Sequence, residues 1–282
     1  MSNPQDQPEA AASPDEITRY YASPARRPGA ARALFNRFAR HYDLINQIFS
    51  LGSGAWYRRT CLRQAGVGPG MVVVDVAVGT GLLARQAQRL MQGRGTLIGI
   101  DLSEAMLDQA RKTLRIPLLQ ATAEAVPLAD GIADFVTMGY ALRHLSDIGQ
   151  ALAEARRLLR PGGKLVLLEI SSPSHPFVKL VAGAFVGGVL PAISALAARN
   201  HQAKALMDYH WRTIAAYAPP KAVLEAIRHA EFQNASCASE LDFFRFYSGQ
   251  KPLLNHRQSN PEPGLPGSFG TSCRPWQDSP GP

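Results

Sequence analysis

Cysteine is scarce: three in 282 residues, Cys61, Cys237 and Cys273. None sits in a CxxC pair, which speaks against a disulfide framework and a zinc site and fits a reducing cytosol. The histidines lack metal-ligand spacing. His41, His175, His201, His210, His229 and His256 read as structural or exposed, and no metal is expected. The first residues, "MSNPQDQPEAAASPDE", hold no apolar h-region, so they do not read as a secretory signal. No internal repeat is present. Acid is also in short supply: 22 Asp and Glu stand against 30 Lys and Arg, a formal charge of +8. That excess makes nucleic acid or an anionic membrane face a partner to weigh.

What is present is a core-forming middle between two polar ends. Apolar residues make up 46% of the chain, enough for one α/β domain with extensions. Residues 1–29, rich in Pro, Ala, Ser and Gln, read as a disordered arm. Residues 252–282, dense in Pro and Gly, read as a disordered tail with no helix and no ladder. Between them strands and helices alternate. "MVVVDVA" (71–77), "TLIGID" (96–101), "IPLLQAT" (116–122), "ADFVTMGY" (133–140) and "KLVLLEI" (164–170) read as strands. "TGLLARQAQRLM" (80–91), "SEAMLDQARKTL" (103–114, Ser103 as N-cap) and "DIGQALAEARRLL" (147–159, stopped by "RPGG") read as helices. "NASCASE" and "DFFRFYS" (234–248) read as a final antiparallel pair. Apolar strands alternating with helices predict a mostly parallel sheet covered on both faces. Ligands of such sheets bind at the carboxyl ends of the strands.

The turn after the first strand lies at that mouth. Gly79-Thr80-Gly81-Leu82-Leu83-Ala84 satisfies GxGxxA, and Asp101 follows about 20 residues on, where a dinucleotide's ribose would be read. Two features oppose a dinucleotide. Asp75 stands just before the turn, and a carboxylate beside a pyrophosphate costs on the order of 1–4 kcal/mol at 4 Å. Ala77 and Val78 also lengthen the turn. S-adenosylmethionine (SAM) removes the conflict, being cationic at that point and free of phosphate. Asp75 would attract its amino end directly or through water, Gly79 and Gly81 would let the backbone approach, and Asp101 would accept from the ribose diol. Ala77 and Leu102 complete this set. Thr122, after strand three, would reach the adenine amine only weakly, with backbone near Ala123 helping. Glu124 reads as a surface residue.

The spacing Asp75-x-Ala77-x-Gly79-x-Gly81, then "GIDLSEAML", "ATAEAVPLADGIADFV" and "LRPGGKLVLLE", resembles a class I SAM-dependent methyltransferase. "FNRFARHYDLINQIFSLG" (35–52), "YALRHLSDIGQALAEARRLLRPGGKLVLLEIS" (140–171) and "MDYHWRTIAAY" (207–217) are similar to the ubiquinone/menaquinone biosynthesis C-methyltransferase family, over about residues 30–250. The resemblance implies a Rossmann-like, seven-stranded, mostly parallel sheet with helices on both faces and an antiparallel last strand. An N-terminal helical segment and an apolar cap insertion (about 172–218) would complete a domain spanning 30–251. The chain departs from the family pattern at Val78 and Ala141 (glycines there), at His144 (an Asn there) and at Glu231. Val78 would narrow the SAM turn; positions 141 and 144 bear on the acceptor.

Methyl transfer from SAM needs alignment more than activation. A quinol carbon is a weak nucleophile until a neighbouring hydroxyl loses its proton. Arg143, cationic near neutral pH, would hold the phenolate, and the resemblance places Tyr42 beside it in the catalytic set. His144 would be a general base, its intrinsic pKa lying near working pH. Tyr140 and Tyr209 would wall the acceptor pocket.

"LVAGAFVGGVLPAISALAA" (180–198) carries no charge and has the length of a membrane span. Three glycines, Pro191 and its place inside the domain make it instead a cap over the pocket, suited to a polyprenyl tail. From Arg19 to Arg63 nine arginines face one acid, Asp43, with aromatics interleaved. Anionic lipid is the partner that fits best beside an apolar cap, rather than nucleic acid. The expectation is a cytoplasmic enzyme, peripheral on the inner membrane face, with a hydrophobic acceptor; a homodimer is compatible with it. Three rivals are an N- or O-methyltransferase of lipid headgroups or secondary metabolites, an NAD-dependent oxidoreductase, and a non-catalytic lipid-binding module.

Overall fold

The structure is a computed structural model that describes residues 27–40, 42–50, 52–173, 175, 180, 183–184, 213–214, 218–253 and 273–275. Three helices come first: α1 (Arg27–Phe38), α2 (Tyr42–Phe49) and α3 (Gly54–Ala65). Then β1 (Met71–Val76), α4 (Leu82–Met91), β2 (Gly95–Asp101), α5 (Glu104–Thr113), β3 (Leu118–Gln120) and β4 (Ala133–Gly139) alternate. A 3₁₀ turn (Leu142–His144), α6 (Ile148–Leu158) and β5 (Leu159–Ile170) follow, and α7 (Pro220–His229), β6 (Gln233–Glu240), β7 (Phe244–Gln250) and β8 (Arg274–Pro275) close the order.

The strands make one sheet in the order β3-β2-β1-β4-β5-β7-β6-β8. Pairings among β1 to β5 are parallel, and β7 runs antiparallel to both β5 and β6. The apolar strands form because both faces are covered. Val74, Val76 and Ile100 enter one core layer with Leu152 and Ala155 of α6 and Val223 and Ile227 of α7. Val73, Leu97 and Val166 enter the other with Cys61 and Leu62 of α3, Leu83 and Ala87 of α4 and Leu107 of α5. Alternate residues of β1 thus point to opposite layers, as the pleat requires. Ser103 Oγ accepts from Met106 N at 3.2 Å and caps α5, as expected of it. Chain direction reverses its progress across the sheet between β1 and β4, which opens a crevice at their carboxyl ends.

Three expectations need correction. β5 begins at Leu159, not Lys164, so "RPGG" lies inside the strand. Gly162 has φ +79°, and a Cβ on Gly163 would lie 3.0 Å from Ala133 O. The pair of glycines accommodates the register shift between Ala133 and Phe135 rather than ending the element. Second, the tail is not wholly without a ladder: β8 pairs with β6 through Ala238↔Arg274 and Ser239↔Pro275. A two-residue edge strand tolerates its proline because only one side must bond. Third, Cys237 and Cys273 form a disulfide. They lie 36 positions apart in the sequence, so no local spacing announces the bond. Cys61 remains free and buried.

α1 starts at Arg27, inside the expected arm. Tyr209, His41, His201, His210 and His256 lie outside the described residues, as does the apolar segment 180–198 apart from Leu180, Gly183 and Ala184. Among the described residues no helix is long and apolar enough to cross a membrane. The arginine run divides: Arg32, Arg37, Arg40, Arg59 and Arg63 are exposed, whereas Arg58 is buried.

Candidate active site

Two cavities adjoin at the crevice. The first, about 100 Å³, is lined by Phe35, Ala77, Gly79, Asp101, Leu102, Thr122, Ala123, Glu124, Ala141 and His144. The second, about 190 Å³, is lined by Asn46, Gly54, Trp56, Tyr57, Arg58, Arg143, Glu240 and Phe244. Tyr42 and Tyr140 line both and form the wall between them.

Six of the eight residues expected at the cofactor therefore share one cavity, and two do not. Gly81, at φ +87°, turns inward: a Cβ there would collide with the Leu114 side chain, so this glycine serves close helix packing. Gly79, at φ +57°, has no atom within 4 Å of where a Cβ would stand, which leaves the cavity side of the turn open. Asp75 is 1% exposed and lies behind the turn. Its register partner on β4 is Thr137, whose hydroxyl donates to Asp75 Oδ1 at 2.6 Å. Burial pushes its carboxyl up to about 7, against the Thr137 hydrogen bond. Contact with a ligand would run through water or the backbone, and a partly protonated Asp75 is a weaker guard against phosphate than its place in the sequence suggests. Val78 also departs from expectation. It is buried over Gly99, whose added Cβ would lie 3.1 Å from both Val78 methyls, and so it does not narrow the cavity.

Asp101 closes β2 and holds the floor of the site. Its Oδ2 accepts from Gly79 N at 2.7 Å and its Oδ1 from Ser103 N at 2.8 Å. A carboxylate has about four acceptor directions, so the group can fix the turn and still accept from a ligand hydroxyl. Burial raises it to about 6, opposed by these backbone donors. The groups present suit SAM: a carboxylate able to accept from a diol, an open glycine turn and an apolar wall at Leu102, Ala121 and Ala123. Glu124, read from the sequence as a surface residue, instead lines the cavity and accepts from Ser146 N at 3.1 Å and Ser146 Oγ at 2.7 Å.

The segment "HYD" works on two levels. Tyr42 faces both cavities, its hydroxyl held well above the usual phenol range by burial, against the pull of Arg143. Asp43 turns the other way and accepts from Thr80 Oγ1 of the glycine turn and from Arg85 Nη2 at 2.9 Å. The N-terminal helices are thereby tied onto the turn. Asp43 is a site residue that sequence reasoning missed; its lone acidity among arginines is the signal.

Adjacent residues of the 3₁₀ turn diverge. Arg143 lines the larger cavity and pairs with Glu169 of β5; their side chains are 4% and 0% exposed. Glu169 also accepts from Ile170 N at 2.9 Å, and burial holds its carboxyl above the ordinary range despite Arg143. A lone acid in the run "KLVLLEI" must be matched if it is buried, which is the sequence signal for Glu169. His144 lines the smaller cavity and packs edge-on against Phe35, centroids 5.0 Å apart. It lines the smaller cavity and not the larger one, where Arg143 lies. Tyr140 and Ala77, at φ +61° and +55°, sit in the left-handed region at the ends of β4 and β1. Such strain costs on the order of 1–3 kcal/mol per residue and is tolerated where it shapes a site.

Arg58, on α3, is 6% exposed. Its guanidinium lies over the Tyr140 ring, 5.0 Å from the centroid, and Nη2 donates to Asn46 Oδ1 at 3.4 Å. Among the described residues no carboxylate pairs with it. Trp56 and Leu241, 58% and 74% exposed, stand at the rim of the same cavity.

Residues 26–240 match the ubiE/COQ5 methyltransferase family. The chain is 34% identical to a ubiquinone/menaquinone biosynthesis C-methyltransferase UbiE of Shewanella frigidimarina over 174 residues, 59% of this chain and 69% of that protein. It is 35% identical to the UbiE of Hahella chejuensis over 176 residues, 60% of this chain and 71% of that one. Among solved structures, a SAM-dependent methyltransferase from Thermotoga maritima aligns with a TM-score of 0.55 at 21% identity, covering 78% of this chain and 99% of its own. One from Aquifex aeolicus aligns with a TM-score of 0.51 at 16% identity, covering 73% and 97%. These two agree on the Rossmann-like fold. The NAD-dependent reading is set aside, and the chain belongs to the ubiE/COQ5 methyltransferase family, as a SAM-dependent methyltransferase.

Proposed function

We propose that this enzyme methylates a ring carbon of a prenylated benzoquinol, naphthoquinol or similar hydrophobic aromatic. The observation that carries this reading is the pair of adjoining cavities with Tyr42 and Tyr140 as their common wall. One cavity suits a nucleoside, and the other is lined by aromatic side chains.

When bound, SAM supplies a methyl group already activated by its positive sulfur. The protein's part is placement. Asp101 would accept from the ribose hydroxyls, Thr122 and Ala123 would flank the adenine, and Ala77 and Gly79 would let the backbone approach. Tyr140 and Tyr42 would hold the acceptor ring against the methyl group so that attack is in line. Arg143, its charge matched by Glu169, would present a fixed edge of N–H donors to an acceptor oxygen. Exposed Trp56 and Leu241 at the rim, with Arg59 and Arg63 exposed on the same helix α3, favour entry of the acceptor from an anionic membrane surface.

The test is incubation of the full chain with methyl-labelled SAM and a panel of prenylated quinols in vesicles, followed by mass spectrometry and NMR. A new carbon-bound methyl on the ring supports the reading. A methyl on oxygen or on a lipid amine would replace it with the corresponding O- or N-transferase.

A further inference from the structure

The acceptor cavity contains two guanidinium groups in different electrostatic states. Arg143 is neutralised by Glu169 at the cavity wall. Arg58 is as deeply buried but has no carboxylate within ion-pair distance among the described residues; Glu240, which lines the same cavity, does not pair with it. Its contacts include the Tyr140 ring face and the long hydrogen bond that it donates to Asn46 Oδ1. A buried cation without a counter-ion is costly and is retained where something anionic completes it. The backbone is shaped to admit it, because a Cβ on Gly54 would lie 2.7 Å from Arg58 Nη1 and 2.9 Å from Ser50 Oγ.

We infer that Arg58 is an anion seat for the acceptor: it binds the ionised oxygen of a phenolate or carboxylate carried on an apolar body, and so selects acceptors that ionise. On the quinol reading above, on which its phenolate form rests, the oxygen seated here is the one whose negative charge makes the neighbouring ring carbon nucleophilic. The role assigned to Arg143 from the sequence then passes to Arg58, and Arg143 with Glu169 positions the ring.

The experiment measures binding to the full chain saturated with S-adenosylhomocysteine. The probes are a prenylated nitrophenol against its methyl ether, and decanoate against methyl decanoate. The wild type should favour the ionised member of each pair by about ten- to a hundredfold, the range of a charge-assisted hydrogen bond. Arg58→Gln should abolish the preference while leaving the ether and ester affinities in place, and Arg58→Lys should keep most of it. Gly54→Ala, which crowds the guanidinium without removing its charge, should reduce it. Calorimetric binding of S-adenosylhomocysteine reports that each variant is folded. An undiminished preference in Arg58→Gln, or no preference for either ion in the wild type, overturns the anion seat. A preference for decanoate that depends on Arg58, with both phenols ignored, upholds the seat and removes the aromatic acceptor instead.

Discussion

Replacing Glu169 by Gln should be strongly destabilising, because it removes the carboxylate that matches the enclosed charge of Arg143. The side chains of the pair are 0% and 4% exposed, so solvent cannot take over the lost partner. Breaking a buried pair from one side costs about 3–5 kcal/mol. For a domain of this size each kcal/mol lowers Tm by roughly 2–4 °C, so the fall should be about 6–20 °C by circular dichroism. Arg143→Gln makes the complementary test through pH. Burial already raises the Glu169 carboxyl, and Arg143 opposes that rise. Without Arg143 the folded-state pKa climbs further. A carboxyl raised in the folded state favours folding below its unfolded pKa, and that contribution is lost as pH rises through the folded value. Arg143→Gln should therefore be poorly stable at pH 8 and recover towards the wild type at pH 5. Glu169→Gln has no carboxyl to protonate and should show no such recovery. The double variant should be more stable than the sum of the two single losses implies. A loss below about 1 kcal/mol for Glu169→Gln, or a pH-independent loss for Arg143→Gln, would refute the claim that this is an enclosed, mutually dependent pair.

Asp101→Asn should weaken SAM binding by about ten- to a hundredfold in calorimetry, by removing charge-assisted acceptance from the diol. In the wild type, affinity should fall as pH drops below about 6, where Asp101 takes up a proton. Gly81→Ala should lower Tm sharply, since the methyl meets Leu114 at a φ of +87°. Gly79→Ala, with open space around it, should cost only about 1–2 kcal/mol of backbone strain but impair cofactor binding. Cys273→Ser should free the short β8 edge, read as faster proteolysis of residues after 253, and a reductant should do the same to the wild type.

The strands and helices around the sheet were legible because burial on both faces forces apolar runs, and because Ser103 marks a helix start by a local chemical need. What escaped depended on distant partners. Glu169 looks like an interruption in a strand until Arg143, 26 residues earlier in the chain, comes beside it. Arg58 reads as one of a row of arginines, and only packing under Tyr140 separates it from its exposed neighbours. Asp75 invited a role towards the ligand's amino end, directly or through water, and only its register opposite Thr137 shows that it lies behind the turn. His144 and Arg143 are adjacent in sequence, but a 3₁₀ turn sends them into different cavities. The Cys237–Cys273 bond joins segments with no shared motif, so spacing could not announce it.

The central claim is that the two cavities bring a SAM methyl group against a carbon of an apolar aromatic ring. The most direct measurement is NMR of the product formed from ¹³C-methyl-labelled SAM and a prenylated quinol in vesicles. The account predicts one labelled methyl on a ring carbon, formed by the wild type and lost in Asp101→Asn under subsaturating SAM. Tight SAM binding with the label on oxygen, on a lipid amine, or on no acceptor at all would contradict it.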